Sequence, residues 1–472
     1  MISSLVLFVL QLAMGTDPIY AMVALLIFAL TPLVFRCYQR IDNMGGFVFL
    51  ATYAKLFLLS QWLKIGFFQA ADSHLLAPVE TVVVLLIGLV AFWGAGLALT
   101  PLLTGRRSLL TISNDPVFLA RVAIGATLIT LASVVMRSIT GLSSVDGTSY
   151  EEGRGFVIIL YLGQMLPLAT AALTARACIL SQGRRFIDVY VALTLLGTVL
   201  QGLLENQRTG MMAGAIAFLV TYLTYGGRIR AWHIGGTVAA GIVMQILVFP
   251  LIEVQRGIRD TTSIGEFISE TLKVASDLAD SETRAPYEQR LNDMYLWWDT
   301  RLYYGKPQGF IDRFAPNPLD ETVDYLKYHE PFDLPELYGQ VLYAVPNVFL
   351  NIIGLERPPR GVEVLETSIL LTNTSMNYGV FAEVYIHSGL SLFLPIAFVV
   401  IFFYAGGLHL IYGKTKNNFF AAFGFSTLYF TFATSDLGSI LPSLTLQGLI
   451  YLTFMVAVSL LPRRGMASTK PA

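Results

Sequence analysis

The sequence predicts an all-α polytopic integral membrane protein, and three observations support this prediction. Of the 472 residues, 55% are hydrophobic and only 13% are charged, whereas a soluble domain carries about 25% charged residues. The apolar residues form blocks of roughly 20, which is the length of a membrane-spanning helix. Alternation with a period of two residues is not sustained, which argues against a transmembrane β-barrel.

Twelve apolar blocks are predicted to cross the membrane, the first of them being short. They cover residues 2–15, 19–35, 45–68, 78–101, 117–137, 156–176, 187–204, 209–226, 233–252, 384–404, 418–436 and 441–461. When twelve spans alternate, the basic connectors, such as "FRCYQR" (35–40) and "QGRR" (182–185), all fall on one side together with the basic tail. The positive-inside rule makes that side cytoplasmic. Both termini are therefore predicted to be cytoplasmic.

The spans divide the chain into three predicted parts. Residues 1–252 form an N-terminal bundle of about nine helices, residues 253–383 a large extracytoplasmic loop, and residues 384–472 about three further helices with a short cytoplasmic tail. The loop contains about two thirds of all Asp and Glu residues. Its amphipathic and aromatic stretches predict a folded, mainly helical subdomain beside the membrane. Within it, "LYAVPNVFLNIIGLERPPRG" (342–361) predicts an interfacial or re-entrant helix.

Several cations are predicted to lie at extracytoplasmic helix ends, where the basic bias would not place them. They are Lys64, Arg137, Arg154, Arg208, Arg256 and Arg259. The planar guanidinium fork suits phosphate oxygens, so the arginines predict a site for a lipid-borne diphosphate. Two plainer interpretations stay open: snorkelling of each arginine to lipid headgroups, or pairing with Glu205, Glu253 or Asp260.

Glu383, His387 and Lys55 are ionisable residues within or at the edge of predicted spans that could carry a function. Glu383 lies where the loop returns to the membrane, and His387 follows four residues later, one turn deeper in the predicted span. Ionisable groups at such depth are costly and therefore indicate function, and either residue could act as a general base. A structural role in holding helices together is an equal alternative, and the same two interpretations apply to Lys55 in the middle of the third span.

Several catalytic signatures are missing. The sequence has no nucleotide-binding GxxxxGK[ST] loop, HExxH, paired CxxC or GxSxG motif. Asp17 is the single acidic residue of the first extracytoplasmic connector, and Cys37 and Cys178 lie far apart. These absences favour chemistry that is independent of metal ions and cofactors, and no feature indicates a nucleic-acid partner.

Three segments resemble the bacterial oligosaccharide repeat-unit polymerases (Wzy, O-antigen polymerase type), which are related to the O-antigen ligases. "NQRTGMMAGAIAFL" (206–219) is similar to their Arg-containing segment that opens a helix at the periplasmic face. "FAEVYIHSGLSLFLPI" (381–396) is similar to their Glu-x-Tyr pattern, and "YAVPNVFLNIIGLERPP" (343–359) to a proline-rich stretch late in the loop. The segment "TNTSMNYG" (372–379) lacks the histidine that is usual in ligases and so disfavours a ligase.

The resemblance implies a GT-C-like glycosyltransferase in the bacterial inner membrane. Such an enzyme transfers a growing glycan from undecaprenyl diphosphate to the non-reducing end of a lipid-linked repeat unit, with a chain-length regulator protein as partner. It implies that Arg208, Arg256, Arg259 and Arg154 bind the diphosphate. It further implies that Glu383 accepts the proton of the attacking hydroxyl, with His387 or Glu205 as alternatives. The rival functions are an O-antigen ligase, another polyprenyl-linked glycosyltransferase, and a polysaccharide flippase or transporter, which would show broken helices.

Overall fold

The computed structural model describes residues 2–73, 75–104, 112–140, 156–204, 208–228, 317–345, 347–357, 379–429 and 431–461, together with a few isolated positions between 236 and 277. Within these residues every regular element is helical, which confirms the all-α prediction. Seven helical stretches in this part of the chain are long and apolar enough to cross a membrane. The chain is therefore an all-α protein with apolar helices of membrane-spanning length.

The helices of the N-terminal half are α1 (Ile2–Ala13), α2 (Pro18–Arg40), α3 (Gly45–Tyr53), α4 (Leu59–Gly66), α5 (Pro78–Leu103), α6 (Pro116–Thr140), α7 (Phe156–Gly163), α8 (Leu166–Leu180), α9 (Val189–Leu204) and α10 (Arg208–Thr224). A π-helical turn, Ala54–Leu58, joins α3 to α4 without a break. The predicted spans of this half thus coincide with helices wherever they are described. The ninth predicted span, 233–252, lies outside the described residues apart from Gly236.

The helices of the C-terminal half are α11 (Asn317–Tyr325), α12 (Leu334–Gly339), α13 (Asn347–Ile352), α14 (Val380–Tyr412), α15 (Phe419–Leu428), α16 (Thr431–Thr434), α17 (Leu437–Pro442) and α18 (Gly448–Leu460). A 3₁₀ turn, Gln340–Ala344, follows α12, and a second π-helical turn, Ser443–Gln447, joins α17 to α18. The aromatic stretch 295–304 lies outside the described residues. The number of twelve spans and the GT-C-like architecture stay predictions.

The chain forms two compact units that do not follow chain order. One comprises Met1–Leu110, Ile229–Lys416 and Gly424–Leu446, and the other comprises Thr111–Arg228, Asn417–Phe423 and Gln447–Ala472. Each unit therefore combines segments that are far apart in sequence. The predicted three-part division describes order along the chain rather than these units.

An aromatic cluster forms the core of the first unit, where α5 packs against α2 and α14. The ring of Phe92 in α5 lies 6.1 Å from Tyr53, 6.1 Å from Phe381 and 5.5 Å from Phe432. Tyr53 is fully buried, and its hydroxyl donates to the Leu85 carbonyl at 2.6 Å. Because a buried hydroxyl needs a partner, this bond allows a polar aromatic residue in the core.

Candidate functional site

Helix α14 is broken at Gly389 and doubles back on itself. Gly389 has φ +56° and ψ −171°, a conformation open to glycine and strained for other residues. On either side of it, the ring of Phe393 lies 5.6 Å from Tyr385 and 5.8 Å from Phe381. In a straight helix, positions 381 and 393 would be separated by about 18 Å along the axis. Residues 380–388 therefore form a short helix that folds back against residues 390–412, a longer apolar helix.

This reversal determines which of Glu383 and His387 lies nearer the middle of α5. Phe381, two residues before Glu383, packs where Gly88 lies in α5, so closely that a Cβ on Gly88 would come within 2.8 Å of the Phe381 ring. Gly88 is ten residues from the start of α5, about 15 Å along its axis. His387 instead contacts Asp333 of the large loop. Glu383 thus lies nearer the middle of α5 than His387 does. The uninterrupted span predicted from the sequence places His387 one turn further in than Glu383, and this span is broken at Gly389.

Glu383 joins the short helix 380–388 to the start of α17. Its side chain is 0% exposed, and its Oε2 accepts a hydrogen bond from the Leu437 N–H at 2.6 Å. Its Oε1 is buried and has no hydrogen-bond partner in the described part of the chain. Asp436, also 0% exposed, caps α17 by accepting from the Ser439 N–H at 3.0 Å. Two buried carboxyl groups therefore meet at one helix start.

His387 is held in one tautomer by the large loop. Its Nδ1 lies 2.9 Å from the Asp333 carbonyl oxygen, and Phe332 packs edge-on against its ring. Because a carbonyl only accepts hydrogen bonds, Nδ1 must carry the proton. The Nε2 of the neutral ring is then free of a proton and is chemically able to accept one. His387 is 3% exposed.

Arg208 is the first residue of α10, in the second unit. Glycines bring α9 and α10 unusually close: a Cβ on Gly202 would lie 2.6 Å from the backbone nitrogen of Met211, and one on Gly214 would lie 2.3 Å from Thr198 Oγ1. The helical hairpin thus fixes the start of α10. The first turn of a helix has free N–H groups and a positive dipole end, so Arg208 lies where the backbone also favours an anion.

Of the remaining predicted cations, the structure describes the surroundings of Lys64 and the helix that contains Arg137. Lys64 is 0% exposed, and its Nζ donates to the Ser73 carbonyl. It is therefore part of the packing of the 66–77 connector and is not accessible to a ligand. Arg154, Arg256, Arg259 and Glu205 lie outside the described residues, and Arg137 lies in α6. Their proposed roles stay predictions.

Asp320 is the polar residue that the sequence did not single out. It is 0% exposed on α11 of the large loop and accepts from the Leu76 N–H at 2.6 Å, the Ala77 N–H at 3.0 Å and the Thr81 hydroxyl at 2.9 Å. Helix α5 has no side-chain cap of its own, since Ala77 occupies the N-cap position. The poor local cap was the one signal in the sequence that a distant acceptor was needed.

The segment from α12 to α13 presents an apolar outer surface. It is anchored to the α17–α18 span, where the Thr445 hydroxyl donates to the Ala344 carbonyl at 3.0 Å. Thr445 lies eight residues inside Leu437–Leu460, a stretch that is long and apolar enough to cross a membrane, so the 3₁₀ turn contacts the inner part of a candidate span. The large side chains that it leaves exposed are Tyr338, Val341, Phe349, Ile352, Ile353 and Leu355. The predicted interfacial or re-entrant position of residues 342–361 stays a prediction.

Within the described residues, no three His, Cys, Asp or Glu side chains come together as a metal site. Comparison with protein-family models, with curated proteins and with solved structures found no match to this chain. The features described above therefore have to support any functional assignment by themselves.

Proposed function

We propose that the protein is a polysaccharide polymerase of the O-antigen type in a bacterial inner membrane. It transfers a growing glycan from undecaprenyl diphosphate to the non-reducing end of a lipid-linked repeat unit. The observation that supports this proposal most is that α10 begins at Arg208. An arginine at a helix start offers a guanidinium fork, backbone N–H groups and the helix dipole to the same anion.

In the proposed reaction, a hydroxyl of the acceptor sugar attacks C1 of the donor glycan. The bond between C1 and the diphosphate oxygen breaks, and its electron pair leaves on the diphosphate. Arg208, with Arg256, Arg259 and Arg154, stabilises the charge of the leaving diphosphate. The hydroxyl proton passes to Glu383 or His387. The protein therefore has to stabilise the negative charge on the leaving diphosphate. It does not need a nucleophilic side chain, because the acceptor hydroxyl attacks C1 directly.

The two proposed proton acceptors have different support. Glu383 has an oxygen without a hydrogen-bond partner in the described residues, but its side chain is fully buried and its other oxygen binds the Leu437 N–H. His387 has an unprotonated Nε2 when neutral, and it adjoins the large loop. Deep burial favours a structural role for Glu383, and the position of His387 beside the loop favours proton transfer by its ring.

A gene deletion followed by gel analysis of surface polysaccharide tests the proposal. Loss of a polymerase leaves lipid A core with a single repeat unit, because ligation continues. Loss of a ligase removes every rung and leaves lipid-linked polymer. An unchanged ladder would overturn the assignment.

Complementation with variants then tests the residues. Arg208→Lys is expected to restore the ladder poorly because lysine lacks the bidentate fork, whereas Arg184→Lys, at an exposed arginine of a predicted cytoplasmic connector, serves as the matched control. Glu383→Gln keeps an oxygen that accepts from the Leu437 N–H but cannot take a proton. A full ladder with Arg208→Lys would exclude the fork, and a full ladder with Glu383→Gln would exclude Glu383 as the base.

A transporter or flippase is the second candidate, and the broken helix α14 specifically favours it. Discontinuous helices with buried polar groups are typical of transporter substrate sites. Loss of a flippase would leave repeat units on the cytoplasmic leaflet, and the deletion strain would then show neither a ladder nor the single-repeat band. The same gel therefore separates the two functions.

A further inference from the structure

Lys55 lies in the middle of an apolar span, in the π-helical turn between α3 and α4. It is ten residues from Gly45 and eleven from Gly66, the two ends of a candidate membrane span. These distances correspond to about 15 Å along a helix axis, which is farther than a lysine side chain can snorkel. Lys55 therefore needs a polar environment within the span.

The described part of the chain supplies no such partner. No hydrogen bond or ion pair of Lys55 occurs there, in contrast to Lys64 of the same helix, which donates to Ser73. A charged group at mid-span is costly when unpaired. A partner from outside the chain would remove that cost.

The helix that contains Lys55 has a buried face and a more exposed face. The buried face includes Thr52, Tyr53, Leu56 and Phe57, which pack inside the first unit. Lys55 lies on the other face, where Ala51, Ala54 and Leu58 are half-buried and Leu59 and Trp62 are exposed. Two of the neighbours of Lys55 on this face, Ala51 and Ala54, have small side chains.

The π-helical turn keeps the buried residues on one side of the helix and Lys55 on the other. Buried positions recur every four residues from Val48 to Ile65, and a regular helix would rotate this stripe by about 40° at each step. The wider turn, in which the Leu59 N–H donates to the Ala54 carbonyl five residues earlier, offsets part of that rotation. Such turns are frequent at functional sites, and this one contains the single charged residue between Gly45 and Leu63.

We propose that Lys55 is the cationic residue of an oxyanion-binding site within the membrane-spanning part of the protein. The ligand is a phosphate or carboxylate group, carried by a lipid headgroup or by a soluble molecule. The site lies apart from Arg208 in the chain and does not depend on the proposed polymerase activity. It requires a water-accessible path along the Ala51–Leu58 face.

Reaction of an introduced cysteine with charged thiol reagents tests the site. Leu58→Cys, one turn from Lys55 on the same face, is placed in a chain in which the buried Cys37 and Cys178 are replaced by alanine. The measurement is the ratio of labelling rates for an anionic and a cationic methanethiosulfonate. Replacing Lys55 by Met is expected to lower this ratio about fivefold or more, because the positive charge no longer attracts the anionic reagent. Lys55→Arg is expected to preserve it.

Protection by ligands then identifies the anion. Inorganic pyrophosphate and undecaprenyl diphosphate are added separately, and either is expected to slow labelling when Lys55 is present and not when it is Met. Protection by pyrophosphate indicates a soluble oxyanion, and protection by the lipid alone indicates a headgroup. Leu56→Cys, at a buried position, is the control and should not react.

Three results would overturn the inference: no labelling of Leu58→Cys, a rate ratio that is unchanged by Lys55→Met, or labelling that neither anion slows. None of these results depends on polysaccharide synthesis. Loss of the polymerase assignment in the deletion strain would leave the labelling result unchanged, and the two proposals can therefore fail separately.

Discussion

Replacement of Asp320 by alanine should release the large loop from the start of α5. The Asp320 carboxyl accepts three hydrogen bonds, from Leu76, Ala77 and Thr81, at 2.6 to 3.0 Å. Each donor left unsatisfied in a buried position costs about 1–3 kcal/mol. Allowing for partial access of water, we expect the free energy of unfolding to fall by about 3–5 kcal/mol.

The matched control is Asp324→Ala on the same helix. Asp324 lies 3.7 Å from Lys327 in a partly exposed ion pair, and such pairs contribute about 1 kcal/mol or less. Asp320→Asn should have an intermediate effect on stability. The amide keeps one oxygen that can accept a hydrogen bond, but its NH₂ group replaces the other acceptor and faces groups that also donate. We expect a loss of about 2 kcal/mol for this variant.

Denaturant titration in mixed micelles, followed by circular dichroism, measures the global effect. Hydrogen exchange at the Leu76 and Ala77 amides measures the local one, and exchange there should accelerate more than elsewhere in α5. If Asp320→Ala and Asp324→Ala lowered stability equally, with no local change in exchange, the capping role of Asp320 would be wrong.

Three further outcomes follow from the same structure. Burial raises the pKa of Asp320 above its ordinary range, ahead of the opposing effect of its hydrogen bonds. The native state then binds the proton more tightly, so the part of the stability that is linked to this proton is complete below about pH 4 and is lost as the pH rises through the raised pKa. The hydrogen bonds that Asp320 accepts make a separate contribution. Asp320→Asn should remove the pH dependence in thermal-unfolding scans. Gly202→Ala should separate α9 from α10 and destabilise the protein by about 1–3 kcal/mol, because the new Cβ would lie 2.6 Å from the Met211 backbone nitrogen; unchanged thermal unfolding would contradict this. If residues 342–361 contact the membrane as predicted, a tryptophan introduced by Phe349→Trp, at a site 60% exposed, should be quenched by brominated acyl chains, whereas one introduced by Tyr328→Trp on the large loop should not. Equal quenching of the two would exclude this contact.

The positions of the helices could be predicted because each depends on its own residues. Length, hydropathy and connector charge located α2, α5 and α6 within a few residues of their observed ends. The start of α10 was predicted at residue 209 and is observed at Arg208. Local composition contains this information, since a membrane span must satisfy its own backbone hydrogen bonds.

The contacts at the candidate site could not be predicted in the same way. Asp320 and Ala77 are 243 residues apart in the sequence, and no local pattern connects a carboxyl group to a helix that lacks a cap. Gly389 is one of 40 glycines, and an isolated glycine in an apolar run is compatible with an uninterrupted helix. The reversal depends on its positive φ and on packing of Phe381 against α5, which are tertiary properties.

That reversal bears directly on which residue can accept a proton at the membrane surface. Glu383 lies beside the middle of α5, and His387 lies four residues nearer the Gly389 turn and the loop residue Asp333. In the proposed polymerase, a sugar hydroxyl that arrives from the side of the large loop would meet His387 before Glu383. Surface glycosyl transfer favours His387 as the base and leaves Glu383 to hold the start of α17. If Glu383→Gln abolished activity in a folded protein while His387→Gln did not, the proton would have to move deeper than the surface, and passage of substrate through the protein would become the better explanation.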